Sequence, residues 1–137
     1  MRIQWCDLFV TGNPLVDHQH QALFEAINGF DDALASGAGP QRIDELLTFL
    51  EGYTKEHFAT EEFLMIRAGF PNLDTHKGEH ERLLTRVKFI VDLRNQDPAL
   101  VPPEGLSKFL GDWLQNHILL WDLTFFNFLR HHPLESA

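Results

Sequence analysis

Six polar side chains occupy positions where an apolar helical stripe calls for a hydrophobe: His20, His57, Glu61, His76, His80 and His117. Burying one such group without a partner costs about 2–7 kcal/mol, so six of them must satisfy one another or share a metal. His57 and Glu61 are four residues apart, as are His76 and His80. That spacing stacks two side chains on consecutive helical turns, where both can reach one ion. A single such pair arises easily by chance, whereas two pairs on different core faces form a pattern. His117 and Asp122 are five apart, which leaves them about 140° out of phase on a regular helix. If both ligate, a local widening of π type is expected between them. Phe125, Phe126 and Leu129 continue a stripe in phase with Asp122 rather than with His117.

The donor set narrows the metal. Five imidazoles and two carboxylates, with no thiolate in reach, exclude iron–sulfur and cysteine-rich zinc sites and suit iron or manganese better than calcium. Seven donors exceed one ion. If two ions share the carboxylates as bridges and take three and two histidines, they have five and four protein ligands, and a bridging oxygen raises these to six and five. One position of an octahedral pair then stays open for a small exogenous molecule.

Other polar residues nearby read as bystanders. His18 lies two residues from His20 but about 200° round the helix and off the stripe. His131 and His132 read as solvated residues past the last helix, and Glu56, Glu62, Glu79 and Glu81 as solvated faces. Asp17 reads as a helix cap in preference to an outer carboxylate of the site. Cys6 has nothing nearby to activate it.

Positioning these groups requires four helices. Residues 1–16, with Gly12 and Pro14, predict an extended N-terminal arm packed on something else. Apolar periodicity predicts helices over 17–36, 41–68, 73–96 and 104–131, punctuated by Ser36-Gly37-Ala38-Gly39, by Gly69 with Pro71, by Asp97-Pro98, and by Pro133 after the last. Short connections imply an all-α, up-down-up-down antiparallel four-helix bundle in a single domain spanning 1–137. Twelve phenylalanines and three tryptophans supply its core.

Composition limits the partners. Eleven Lys and Arg against twenty Asp and Glu give a net charge of −9, which repels phosphate backbones and anionic lipids and predicts no nucleic-acid or membrane partner. The apolar stretch from Ile118 to Leu129 is interrupted by Asp122, Thr124 and Asn127 and is too short to cross a bilayer. A lone cysteine and the lack of a signal-like apolar core in residues 1–10 point to the cytoplasm. A soluble monomer is expected.

Taken in order, Val16-Asp17-His18-Gln19-His20, His57-Phe58 with Glu61-Glu62-Phe63-Leu64-Met65, His76 with His80, and Trp113-Leu114-Gln115-Asn116-His117-Ile118 with Asp122 resemble the bacterial hemerythrins. The resemblance spans nearly the whole chain, from Trp5 and Gly12 to Asp122. It implies two non-haem irons with an oxo or hydroxo bridge: His76, His80 and His117 on one, His20 and His57 on the other, and Glu61 and Asp122 bridging. It further implies reversible dioxygen binding at the two-histidine iron, for carriage, storage or delivery to an oxygen-consuming partner. Phe58, Met65, Trp113, Leu114 and Ile118, each beside a ligand or one turn away, are the expected walls of the dioxygen pocket. Trp121 departs from the pattern, as relatives often carry a smaller or polar residue before the bridging aspartate.

A binding protein is favoured over an enzyme. Bundle-type di-iron oxidases use Glu-x-x-His motifs and several carboxylates, and this chain has no Glu-x-x-His. The alternatives are an oxidase, a peroxidase, a nitric oxide scavenger, or a sensor acting through a separate protein.

Overall fold

The computed structural model describes residues 2–132. Pro133, expected to follow the last helix, lies outside them. Four bundle helices follow an N-terminal arm: α1 (Pro14–Ala35), α2 (Pro40–Ala68), α3 (Leu73–Gln96), and a fourth in which α4 (Pro103–His117) passes through a π turn (Ile118–Asp122) into α5 (Leu123–His131). Among the described residues there is no strand. Connections as short as 36–39 and 69–72 force consecutive helices antiparallel, giving the up-down-up-down order.

The first helix starts three residues before the expected Asp17. Asn13 is the cap, its side chain accepting from Val16 N, and Pro14 occupies the first helical position, where a missing N–H costs nothing. Asp17 instead ties down the arm, because its carboxylate accepts from the backbone N and hydroxyl of Thr11 at 2.9 and 2.8 Å and from Gly12 N. α2 stops where Gly69 takes a left-handed φ of 65° and Phe70 N bonds back to Met65 O, a closure that favours glycine.

The core forms three layers. Phe30, Ile43, Leu47, Val101 and Leu106 fill one end, and Val16, Met65, Phe70, Phe125 and Phe126 fill the other. Between them, Leu23, Phe24, Ile27, Leu50, Leu114 and Ile118 pack with Ile3 and Phe9 of the arm. The arm is clamped by Asn28, which donates to Ile3 O at 2.8 Å and accepts from Ile3 N at 2.9 Å. Gly111 permits this approach, since Ile3 Cγ2 lies 3.2 Å from where a Cβ would stand. In chain order, the polar stripe residues fall between the middle layer and the Phe125 layer: His20 between Val16 and Leu23, and Glu61 between Phe58 and Met65.

Phe30 is fully buried in the layer remote from the polar residues. Phe30→Ala should lower unfolding stability by about 3–5 kcal/mol, measured by urea denaturation, and leave metal content unchanged in the folded protein.

Candidate metal centre

Each helix contributes inward polar groups: His20 from α1, His57 and Glu61 from α2, His76 and His80 from α3, His117 from the end of α4, and Asp122 from the π turn. All seven are at most 2% exposed. Their donor atoms form two overlapping clusters. One is Glu61, His76, His80, His117 and Asp122; the other is His20, His57, Glu61 and Asp122; within each, the atoms lie no more than 4.8 Å apart. Glu61 and Asp122 belong to both.

The π turn brings His117 and Asp122 onto one face. Leu123 N–H donates to Ile118 O, five residues back, and the extra residue in the turn offsets the phase gap left by a five-residue spacing. His117 Nε2 then stands 3.0 Å from Asp122 Oδ1. Leu119 and Leu120 are turned outward as a result, with Leu120 67% exposed.

The interior contacts are close; His76 Nε2 meets Asp122 Oδ1 at 3.1 Å in hydrogen-bonding geometry, but others do not. His20 Nε2 lies 3.0 Å from Asp122 Oδ2, and His57 Nε2 lies 3.0 Å from Glu61 Oε1. Yet these four atoms, with Glu61 Oε2, lack a hydrogen-bond partner among the described residues. His80 Nε2 and His117 Nε2 face each other at 3.2 Å. Lone pairs converging on shared points, buried and orphaned, are what a cation would satisfy. The donor set therefore fits metal ions.

Electrostatics agree with this fit. Burial, reinforced by His20, pushes His57 well below the ordinary histidine range. Burial together with His117 and His76 holds His80 down to about 2. Both rings are thus neutral near pH 7, the state in which imidazole ligates. Burial and the charge of Asp122 push Glu61 well up. At Asp122 burial acts in the same direction but is outweighed by the charge and closeness of His117, with His20 and His76 beside it, which hold the group well below the usual range. Two carboxylates this close repel unless positive charge lies between them.

Aromatic rings fix the imidazoles from behind. Phe58 stacks on His80 with ring centres 3.7 Å apart, and Trp113 stacks on His117 at 4.7 Å. Leu114 and Ile118 are buried in the middle layer, and Met65 lies on the opposite side among Val16, Phe125 and Phe126. Sequence periodicity missed two further walls. Trp5 of the arm approaches His20, and Trp121 packs edge-on against His76 at 5.7 Å. Neither lies on a ligand stripe, so only the packing of arm and π turn reveals them.

Glu62 was also misread from sequence. It is no solvated bystander: its Oε2 lies 2.8 Å from His80 Nδ1. Its signal was adjacency to Glu61, which alone places it about 100° round α2 and off the inward stripe. His18 is exposed and outside both clusters, and His131 and His132 are exposed at the end of α5.

With this geometry in place, comparison with known proteins is decisive. Residues 11–129 match the hemerythrin HHE cation binding domain. The chain belongs to the hemerythrin family. It is 37% identical to the bacteriohemerythrin of Pseudomonas aeruginosa (strain LESB58) over 131 residues, covering 96% of this chain and 84% of the relative. It is 32% identical to that of Methylococcus capsulatus over 80% of this chain and 82% of the relative. A crystal structure of a hemerythrin point mutant superposes with a TM-score of 0.79 at 28% identity, covering 93% of this chain and 96% of that one. Among the described residues, no helix is long and apolar enough to cross a membrane.

The metal-free protein should lose thermal stability as pH falls from about 6.5 toward 5, because His57 and His80 take up protons only on unfolding over that range. Asp122 acts in the same sense at lower pH. Glu61, whose raised value stabilises the fold at low pH and less as pH rises, opposes them as a single group. Melting followed by circular dichroism checks the sign: a melting temperature that rises on acidification would show Glu61 outweighing the two imidazoles.

Proposed function

We propose that this hemerythrin-family chain binds dioxygen reversibly at a di-iron centre, as a carrier, store or delivery protein and not as an enzyme. The observation that carries the reading is the sharing of Glu61 and Asp122 by two histidine clusters, the arrangement expected when carboxylates bridge two ions. On this reading His76, His80 and His117 would hold one iron and His20 and His57 the other, with Glu61 and Asp122 within reach of both. Reduced iron, when bound, supplies electrons to dioxygen and takes them back on release.

The protein's own residues protect that exchange. A water-poor apolar shell discourages proton entry and irreversible oxidation. Phe58, Trp113, Leu114 and Ile118 enclose the ligands on the middle-layer side, Met65 closes the far side, and Trp5 covers His20. An apolar cavity of about 30 Å³ borders Trp113 and Leu114 and is otherwise lined largely by leucine, isoleucine and valine side chains. It has room for a molecule about the size of water, and none of the seven donors lines it.

Protein purified aerobically should contain two irons per chain and show a visible charge-transfer band that disappears on reduction and oxygen removal and returns on readmission of oxygen. Sustained turnover of peroxide or of a reductant would replace carriage with catalysis. His57→Ala or Glu61→Ala should abolish the band, whereas His18→Ala should leave it unchanged.

A further inference from the structure

The outward nitrogens of two candidate ligands are held by chemically different partners. His80 and His57 both direct Nε2 into the shared clusters. Behind His80, Glu62 places a carboxylate oxygen 2.8 Å from Nδ1. Behind His57, the oxygen at 2.8 Å from Nδ1 belongs to the neutral carboxamide of Gln19, whose nitrogen donates in turn to Thr60 Oγ1. His20 and His117 leave Nδ1 without a hydrogen-bond partner among the described residues. The charged anchor therefore serves the three-histidine cluster and the neutral one serves the two-histidine cluster.

We propose that Glu62 is a positioning residue that makes the two metal positions unequal. Its carboxylate accepts the Nδ1 proton of His80, fixes the tautomer with Nε2 facing the ion, and increases electron donation through the ring, as charge-assisted bonds to ligating histidines do. The ion held by His76, His80 and His117 is bound more tightly as a result and is harder to reduce than its neighbour. Gln19 orients His57 without adding charge, which leaves the two-histidine ion the easier one to keep reduced. This inference rests on the two-iron reading above.

The test uses the full chain loaded anaerobically with iron(II), with chelator competition and spectroelectrochemical titration of the wild type, Glu62→Gln, Glu62→Ala and Gln19→Glu. Glu62→Ala should release one of its two irons at a chelator concentration about 10–100-fold lower than the wild type requires, with the second iron unchanged. Glu62→Gln keeps an acceptor but loses the charge. It should retain both irons and shift the reduction potential upward, and Gln19→Glu should shift it downward. If Glu62→Gln matches the wild type in both affinity and potential, Glu62 serves shape alone and the proposal is overturned; loss of both irons together in Glu62→Ala overturns it as well. Should Glu62→Ala fail to fold, the potential of Glu62→Gln decides alone. A wild type that holds fewer than two irons overturns the underlying two-iron reading, an outcome distinct from an unchanged Glu62→Gln.

Discussion

Desolvation of seven donor groups is the constraint around which this molecule is built. Five imidazoles and two carboxylates sit at most 2% exposed in a bundle otherwise packed with phenylalanine, leucine and isoleucine. Hydrogen bonds among them are incomplete: among the described residues, His20 Nε2, His57 Nε2 and both oxygens of Glu61 lack a hydrogen-bond partner. Such a cluster costs stability unless its lone pairs meet cations, so metal binding and folding are coupled here. The apolar layers above and below it supply the stability that this layer does not.

Four helices are needed because no single helix can surround an ion. Pairs four residues apart on α2 and α3 each present two donors to one side, and α1 and the fourth helix close the others. The fourth helix meets a harder demand, since its two donors are five residues apart. Its π turn answers that demand, and the register change carries Leu119 and Leu120 to the surface while keeping Ile118, Asp122, Phe125 and Phe126 inside. A strained-looking local feature is thus explained by the site it serves.

Around the donors lies an uneven outer layer. Stacking by Phe58 and Trp113 holds His80 and His117 in plane, Trp121 braces His76 from the edge, and hydrogen bonds from beyond the ring reach His80 and His57. The arm completes the enclosure through Trp5 and Phe9, which pack on Phe24. Besides this apolar packing of Ile3, Trp5 and Phe9, the arm is held by polar contacts from Asn28 to Ile3 O and from Thr11 N to Asp17.

Periodicity alone made the bundle, its helix count and six inward polar residues legible, because a buried polar residue on an apolar stripe violates a rule of local physics that needs no neighbour to be noticed; Asp122 joined them only through its spacing from His117 and the family resemblance. The π turn could be inferred from the same arithmetic, as the spacing of His117 and Asp122 is incompatible with a regular helix. Tertiary structure decided the rest. The start of α1 at Pro14 depends on Asn13 rather than Asp17, because Asp17 is drawn to Thr11 in the folded arm. Glu62 lies off the inward stripe of α2, and only the approach of α3 brings His80 Nδ1 within its reach. Trp5 and Trp121 acquire their positions in the same way, from contacts between segments far apart in the chain. One-dimensional spacing encodes which side chains face inward; what stands behind them is set by how the helices meet.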